Sequence, residues 1–407
     1  MERRHIREML ALSRRVRAGL RLFSGPIDET ERSFLAPDVL FEQLKSRGFD
    51  FYTGVPDSLL KDFNSYVTEH TPESRHIIAV NEGAAMAVAA GYHLATRKFP
   101  VVYLQNSGLG NIINPLLSLV DPRVYKIPVL LLIGWRGEPG TKDEPQHMVQ
   151  GKAMNSLLTD LGVTYEVLPD FEEGSAAALD LAAYHLRSRG SPYAFLVRRQ
   201  TFLKYKGKSL RVDYPLCRED AIRIVLSKTG KFDTFVATTG FAARELYELR
   251  EQAGQGHEQD FYVVGSMGHA SSLALGIAIA KPSKNVYCLD GDGAFLMHMG
   301  AAAQIGTRPI SNIKHILINN ECHDSVGGQP TVAAKVDFPM VARACGYRYV
   351  ATASTEADMQ VKLEELVKAE GPAFIELKVG RKTRDNLGRP KTSPRDNKEA
   401  FMDFLNA

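Results

Sequence analysis

From about Ala36 the chain alternates short apolar runs with longer stretches of helical length. Phe51-Tyr52-Thr53, Ile77 to Val80, Val101 to Leu104, Val129 to Ile133 and Tyr193 to Val197 read as strands. Ala84 to Ala95 and Phe171 to Arg189 have helical length and composition. Such alternation predicts a parallel sheet covered on both faces. A polar stretch, Arg198 to Pro215, breaks the pattern with Lys204, Lys206, Gly207 and Lys208. The alternation restarts with a helix over Asp220 to Leu226 and strands at Thr234 to Ala237, Phe261 to Val264, Asn285 to Leu289, Lys314 to Ile318 and Phe374 to Lys378. The prediction is an α/β protein of two doubly wound parallel-sheet domains, each of about 165 residues and within ordinary domain size. The boundaries read as a basic N-terminal extension (1–33), a first domain (34–200), a linker (201–216), a second domain (217–380) and a charged C-terminal tail (381–407). From Arg381 to Lys398 that tail is charged and contains prolines, so it is expected to be loosely held.

Composition narrows the classes. The chain has 407 residues, is 44% hydrophobic and carries a formal net charge of only +3. Nothing in that balance points to nucleic acid, and no apolar run is long enough to span a bilayer. The four cysteines, Cys217, Cys288, Cys322 and Cys345, are scattered without redox or metal-ligand spacing. A reducing compartment, by default the cytoplasm, follows. Seven arginines within the first 25 residues, interleaved with leucines, also fit an organelle transit peptide. A plain basic extension, or a start codon placed too early, fits as well.

The strongest chemical signal is Asp290-Gly291-Asp292-Gly293, then a helical stretch, then a strand ending in Asn319-Asn320. Glycines on both sides of Asp292 let the backbone turn and approach a bulky anion. Asp292 offers one hard oxygen, Asn320 an amide oxygen and Cys322 a backbone carbonyl. With two diphosphate oxygens and a water they would complete the octahedron that Mg²⁺ requires. A helix starting near Ala294 would aim its N-terminus at the same anion. Both clusters lie at carboxyl ends of strands, where open α/β sheets bind ligands. Taken alone, Gly-Asp-Gly is equally a turn and Asn-Asn equally a loop.

Together the two segments resemble the signature of thiamine-diphosphate enzymes. The resemblance implies a pyrimidine-binding domain followed by a diphosphate-binding domain, with thiamine diphosphate and Mg²⁺ as cofactors. It makes Asp292, Asn320 and the Cys322 carbonyl the metal ligands, with Gly293 and Ala294 beside the diphosphate. Gly265-Ser266-Met267-Gly268 resembles the loop under the cofactor, where Met267 would prop its bent form. Thr238-Thr239-Gly240 resembles a diphosphate contact, with Thr239 and Gly240 nearest. Met267 is also explicable as core packing, and the threonines as a helix cap. Asn81-Glu82-Gly83-Ala84-Ala85 resembles the activating glutamate motif, in which Glu82 would promote loss of the thiamine C2 proton. A carboxylate near a helix N-terminus is otherwise simple dipole stabilisation. The family's cofactor lies between subunits, so a homodimer or a larger homo-oligomer is implied, with active sites at the subunit interface.

No middle domain separates the two halves. That arrangement resembles the phosphonopyruvate and sulfopyruvate decarboxylases over about Leu35 to Lys378, as do Gly54 to Ser58, Gln105 to Asn111, Arg136 to Gly140, Lys142 to His147, Met297 to Gly300 and His323 to Thr331. The resemblance implies decarboxylation of a 2-oxo acid, 3-phosphonopyruvate first, through a thiamine ylid adduct to phosphonoacetaldehyde and CO₂ in phosphonate biosynthesis. Sulfopyruvate is the alternative substrate, and a carboligase or pyruvate decarboxylase a further one that the missing middle domain disfavours. A doubly anionic substrate in a dry site needs cations and amide donors. Asn106, Ser107, Arg136, Lys142 and Gln329 are candidates, Arg136 for its planar fork. Asp57, His147 and His323 are candidates for moving protons. Asp57 equally suits the N-cap of a helix beginning at Ser58. A thiamine-diphosphate-binding protein without turnover would keep the metal motif but need not keep Glu82. No Gly-x-Ser-x-Gly elbow, zinc spacing or dinucleotide glycine motif is present.

Overall fold

A computed structural model describes residues 34–208 and 212–407. The reading of residues 1–33, transit peptide included, lies outside the described residues.

The first half runs α1 (Pro37–Ser46), β1 (Tyr52–Gly54), α2 (Lys61–His70), β2 (His76–Ile78), α3 (Glu82–Thr96), β3 (Val101–Gln105), α4 (Leu109–Pro115), β4 (Leu130–Gly134), α5 (Pro145–Asp160), β5 (Thr164–Val167), α6 (Glu172–Arg189) and β6 (Tyr193–Val197). The second half runs α7 (Arg218–Lys228), β7 (Thr234–Ala237), α8 (Phe241–Gln252), β8 (Asp260–Tyr262), α9 (Ala270–Ala280), β9 (Val286–Gly291), α10 (Asp292–Met297), α11 (Ala301–Gly306), β10 (Ile313–Asn319), α12 (Phe338–Cys345), β11 (Tyr349–Ala353), α13 (Glu356–Lys368), β12 (Ala373–Lys378) and α14 (Pro394–Asn406).

Each half carries one six-stranded sheet, in the orders β2-β1-β3-β4-β6-β5 and β11-β12-β10-β9-β7-β8. Every pairing in both is parallel. The central strands explain this arrangement. Leu130 to Ile133 and Phe195 to Val197 are buried on both faces, so helices must cover both sides. Alternate side chains of each sheet feed separate cores. Tyr103 and Leu130 pack toward α1 and α6, whereas Val102 and Leu131 pack toward α3 and α4. No middle domain stands between the halves, as the sequence implied.

Three features depart from the sequence reading. β5 and β11 went unread; both are edge strands with half-exposed residues. α10 begins at Asp292 itself, two residues before Ala294. The tail expected to be loose is tied down. Arg384 pairs with Glu219 at 2.7 Å and with Glu248, Arg381 pairs with Asp324 at 3.1 Å, and Phe401 of α14 is buried against Phe261. Asn397 donates to the Asp260 carbonyl at 2.8 Å, which stitches α14 to β8. Its charge signalled solvent only because the acids it meets are remote in sequence.

Candidate active site

The carboxyl ends of β1, β3 and β4 meet the start of α3. There Asn81 caps α3 through the Ala84 amide at 2.8 Å, which sets Glu82 at the first helical position. Glu82 is 5% exposed, and Asn111 donates to its Oε2 at 2.6 Å. Burial holds the Glu82 carboxyl above the usual carboxylate range, against the pull of the Asn111 bond. Room for the carboxylate exists because residue 108 is glycine; a β-carbon there would lie 2.5 Å from Glu82 Cδ.

Asp57 lies beside the same strand ends and is fully buried. It does not cap a helix beginning at Ser58, because α2 starts at Lys61 with Leu60 as its N-cap. Instead its Oδ2 accepts from the Leu59 amide at 2.8 Å and its Oδ1 from Gln105 Nε2 at 2.6 Å. Burial raises its pKa, opposed by those bonds and by Arg136. Glycine at 134 leaves space for it, since a β-carbon there would sit 2.8 Å from Asp57 Cγ.

The loop after β4 closes over this cluster. Arg136 donates to Asp143 Oδ2 at 2.8 Å and to Ser58 Oγ at 2.9 Å, so its fork is already engaged. Asn106 exchanges hydrogen bonds with the Arg136 backbone at 2.7 and 3.2 Å. Ser107 is exposed and donates to Gln105 Oε1 at 2.8 Å, which orients the Gln105 amide on Asp57. Lys142 is exposed and forms no hydrogen bond or ion pair among the described residues. His147 on α5 is buried, and its Nδ1 has no partner among them. Burial and then Arg136 lower its pKa to about 4.

The second cluster forms where β9 and β10 end. Asp292, 3% exposed, accepts from Thr331 Oγ1 at 2.6 Å. Burial pushes its pKa up to about 7. The Asn320 side-chain oxygen lies 3.1 Å from Asp292 Oδ1 and 3.1 Å from the Cys322 carbonyl oxygen. Rotating that amide would place its nitrogen there and make two hydrogen bonds instead. Three converging oxygens are equally the face of a cation site. A Mg²⁺–oxygen bond of about 2.0–2.1 Å gives octahedral edges of about 3 Å. The donor set is all hard oxygen, and the Asp292 carboxylate is buried without a cationic partner among the described residues. These residues therefore fit a small divalent ion.

Around it, a β-carbon on Gly293 would fall 3.0 Å from the His323 ring and 3.4 Å from Met267 Cε, so these three residues lie together. Burial lowers the His323 pKa to about 4. Ser266 takes a left-handed φ of 48° in the Gly265–Gly268 loop. Gly240, with φ 102°, ends the turn after Thr239 and faces Ser325. Gln329 is buried with its Oε1 unpartnered among the described residues, and its amide nitrogen faces the Lys61 carbonyl at 3.4 Å. The two clusters of one chain meet through Asn81, which donates to the Met297 carbonyl at 3.2 Å, and through Gln146 beside Gly265. Glu82 is held against Asn111 and Gly108, not against the Asp292 turn of its own chain. Gly108, Gly134, Gln105 and Thr331 drew no individual role from the sequence, although Gln105, Gly108 and Thr331 lie in stretches singled out there. The first three act through space-making or hydrogen bonds across strands, and only the fold shows which side chain each one serves.

Comparison with known proteins agrees with this geometry. Residues 36–157 match the N-terminal TPP binding domain of thiamine pyrophosphate enzymes, and residues 238–377 match the C-terminal TPP binding domain. Phosphonopyruvate decarboxylase of Streptomyces viridochromogenes is 34% identical over 378 residues, spanning 89% of this chain and 93% of that protein. The phosphonopyruvate decarboxylase of Streptomyces hygroscopicus is also 34% identical, over 89% of this chain and 92% of that one. Sulfopyruvate decarboxylase of Methanosarcina acetivorans is 28% identical over 90% of this chain and 96% of that one. The chain belongs to the thiamine pyrophosphate enzyme family, and within it to the group of decarboxylases that these relatives represent. Among the described residues no helix is long and apolar enough to cross a membrane.

Proposed function

We propose that this chain decarboxylates 3-phosphonopyruvate to phosphonoacetaldehyde and CO₂, using thiamine diphosphate and Mg²⁺. The observation that carries the reading is the pairing of a buried, Asn111-bonded Glu82 with the oxygen cluster of Asp292, Asn320 and Cys322. When bound, thiamine diphosphate supplies the nucleophilic carbon and the electron sink for loss of CO₂. Asp292, Asn320 and the Cys322 carbonyl would hold Mg²⁺, and the N-terminus of α10 faces the same point. Thr239, Gly240, Gly265, Ser266, Gly293 and Ala294 would line the rest of the cofactor site, with Met267 beneath it.

Glu82 in this reading exchanges a proton with a ring nitrogen of the cofactor. Its raised pKa suits the task, because a group that must both hold and release a proton works best near the operating pH. Asp57, also raised by burial, would hand on a proton after loss of CO₂. His147 and His323, lowered to about 4, are neutral at pH 7 and so offer one N–H and one lone pair each. Asn106, Ser107, Lys142 and Gln329 are offered to the substrate's anionic ends. Arg136 serves chiefly to hold the loop, given its bonds to Asp143 and Ser58. We also infer self-association into a dimer or larger assembly. Exposed Leu94 on α3 and Ile279 on α9, 68% and 56% accessible, are the kind of apolar surface a subunit contact would cover.

The test is competition between substrates. With thiamine diphosphate and Mg²⁺ present, kcat/KM for phosphonopyruvate is expected to exceed that for sulfopyruvate and pyruvate by tenfold or more. Preference for sulfopyruvate would reassign the substrate while leaving the chemistry intact.

A further inference from the structure

Two hydrogen-bond relays, built on the buried side chains of Asp290 and His315 and of Asn319 and Glu376, lie beneath the turns that carry Asp292 and Asn320, and both end on a backbone N–H next to one of those residues. In the first, the Gly291 amide donates to Asp290 Oδ1 at 3.0 Å. Asp290 Oδ2 faces His315 Nε2 at 3.3 Å, and His315 Nδ1 faces the Tyr347 hydroxyl at 3.1 Å. The partners assign the tautomer: Nε2–H donates to the carboxylate and Nδ1 accepts from the tyrosine. Asp290 and His315 are 0% exposed. In the second, the Glu321 amide donates to Asn319 Oδ1 at 3.0 Å, and Asn319 Nδ2 donates to Glu376 Oε1 at 2.8 Å. Thr352 Oγ1 donates to the other Glu376 oxygen at 3.1 Å. Glu321 sits at φ 61°, a left-handed conformation that an ordinary residue adopts only when held.

A buried carboxylate in a β-strand core costs stability unless it is bonded. An apolar pair would be easier to pack at each position. What the relays add is orientation: the first fixes the Asp290–Gly291 peptide plane, one ahead of the peptide that leads into Asp292, and the second fixes the Asn320–Glu321 plane that directly follows Asn320. The His315 ring also packs against the Phe295 ring of α10 and the Phe374 ring of β12, with ring centroids 5.4 Å apart in each pair. It thus couples the Asp292 helix to the sheet as well as to the turn. We propose that Asp290–His315–Tyr347 and Glu376–Asn319 are positioning groups that set the two cation-binding turns to the narrow octahedral geometry of Mg²⁺. Cys288, Asp290 and His315 also lie within 4.8 Å of one another, close enough to hold a metal themselves. The complete hydrogen bonding of Asp290 and His315 favours the relay.

This inference rests on the Mg²⁺ site proposed above, and one experiment separates the two. Purified wild type, His315→Phe and Tyr347→Phe are titrated with Mn²⁺ at saturating thiamine diphosphate, free Mn²⁺ being read by electron paramagnetic resonance. Mg²⁺ and Ca²⁺ are then added as competitors. Outer-shell changes of this kind cost about 10–100-fold in metal affinity. His315→Phe is expected to lose Mg²⁺ affinity in that range and Ca²⁺ affinity several-fold less, because Ca²⁺ tolerates irregular geometry. Tyr347→Phe, which keeps every ring, is expected to show the same selectivity shift at smaller size, and it carries the test if His315→Phe does not fold. Glu376→Gln keeps an acceptor for Asn319 and can donate to the Thr352 hydroxyl in place of accepting from it, so it is expected to bind as wild type, whereas Glu376→Met is not. Wild-type Mg²⁺ affinity and selectivity in folded Tyr347→Phe and Glu376→Met would overturn the proposal. So would a second tightly held metal in wild type that is absent from His315→Phe. Wild type that takes up no divalent ion with the cofactor would instead overturn the site reading itself.

Discussion

Glu82 and Gly108 occupy complementary space: the carboxylate of the one fills the volume a side chain on the other would need. Gly108→Ala is therefore expected to mimic loss of the glutamate without touching it. The β-carbon must push the Glu82 side chain off Asn111. A fall in kcat of at least tenfold is expected, with thermal stability nearly kept. Wild-type kcat in Gly108→Ala would show that the Glu82 position is not critical.

Glu82→Gln should lower kcat by about 10²-fold or more, the usual worth of a positioned proton-transfer group, while cofactor affinity changes little. It should also change stability in a pH-dependent way. The folded protein holds the Glu82 proton more tightly than the unfolded chain does. Its contribution is thus fully present below the ordinary pKa of about 4.5 and is lost as pH rises through the higher folded value. Cofactor-free Glu82→Gln should then be more stable than wild type at pH 8, by on the order of 1 kcal/mol, and not at pH 4. Thermal unfolding at the two pH values checks this.

His147 gives the opposite sign. Its folded pKa, about 4, lies below its ordinary 6.5. The stability it contributes is present above pH 6.5 and lost as pH falls from there toward 4. His147→Gln should flatten that part of the stability profile. An unchanged slope between pH 6.5 and 4.5 would contradict the assigned burial effect.

A stability test away from the site is Arg250→Met. Arg250 forms a two-pronged bond to Asp260, at 2.9 and 3.0 Å, with both side chains almost wholly buried. Removing the cation leaves Asp260 uncompensated, which typically costs about 3–5 kcal/mol. Urea unfolding of Arg250→Met alongside Arg250→Met/Asp260→Asn should show partial recovery in the double variant.

How much of this was legible beforehand follows from what each residue touches. Central strands such as Leu130 to Gly134 carry unbroken apolar runs, because both faces are covered, and those runs were read correctly. β11, at an edge, reads Tyr349-Val350-Ala351-Thr352-Ala353 with mixed exposure and leaves no such run. Asp292, Asn320 and Cys322 stood out through spacing along one strand–helix–strand unit, and the Asn320 amide does meet the Asp292 carboxylate and the Cys322 carbonyl at 3.1 Å. Arg136 stood out through its planar cationic fork and a resembling loop. Its partner Asp143 lies in the same loop, but sequence does not say which of two nearby ions will pair inward. Gly134 and Asp57 meet only after β1, β3 and β4 assemble.

The most direct measurement follows CO₂ released from phosphonopyruvate by the purified chain, with thiamine diphosphate and Mg²⁺ supplied separately and together. The account requires CO₂ and phosphonoacetaldehyde in equal amounts only when both are present, with turnover removed by chelation and restored by Mg²⁺. Turnover indifferent to the vitamin or to the metal, or none on any 2-oxo acid with both supplied, would contradict it.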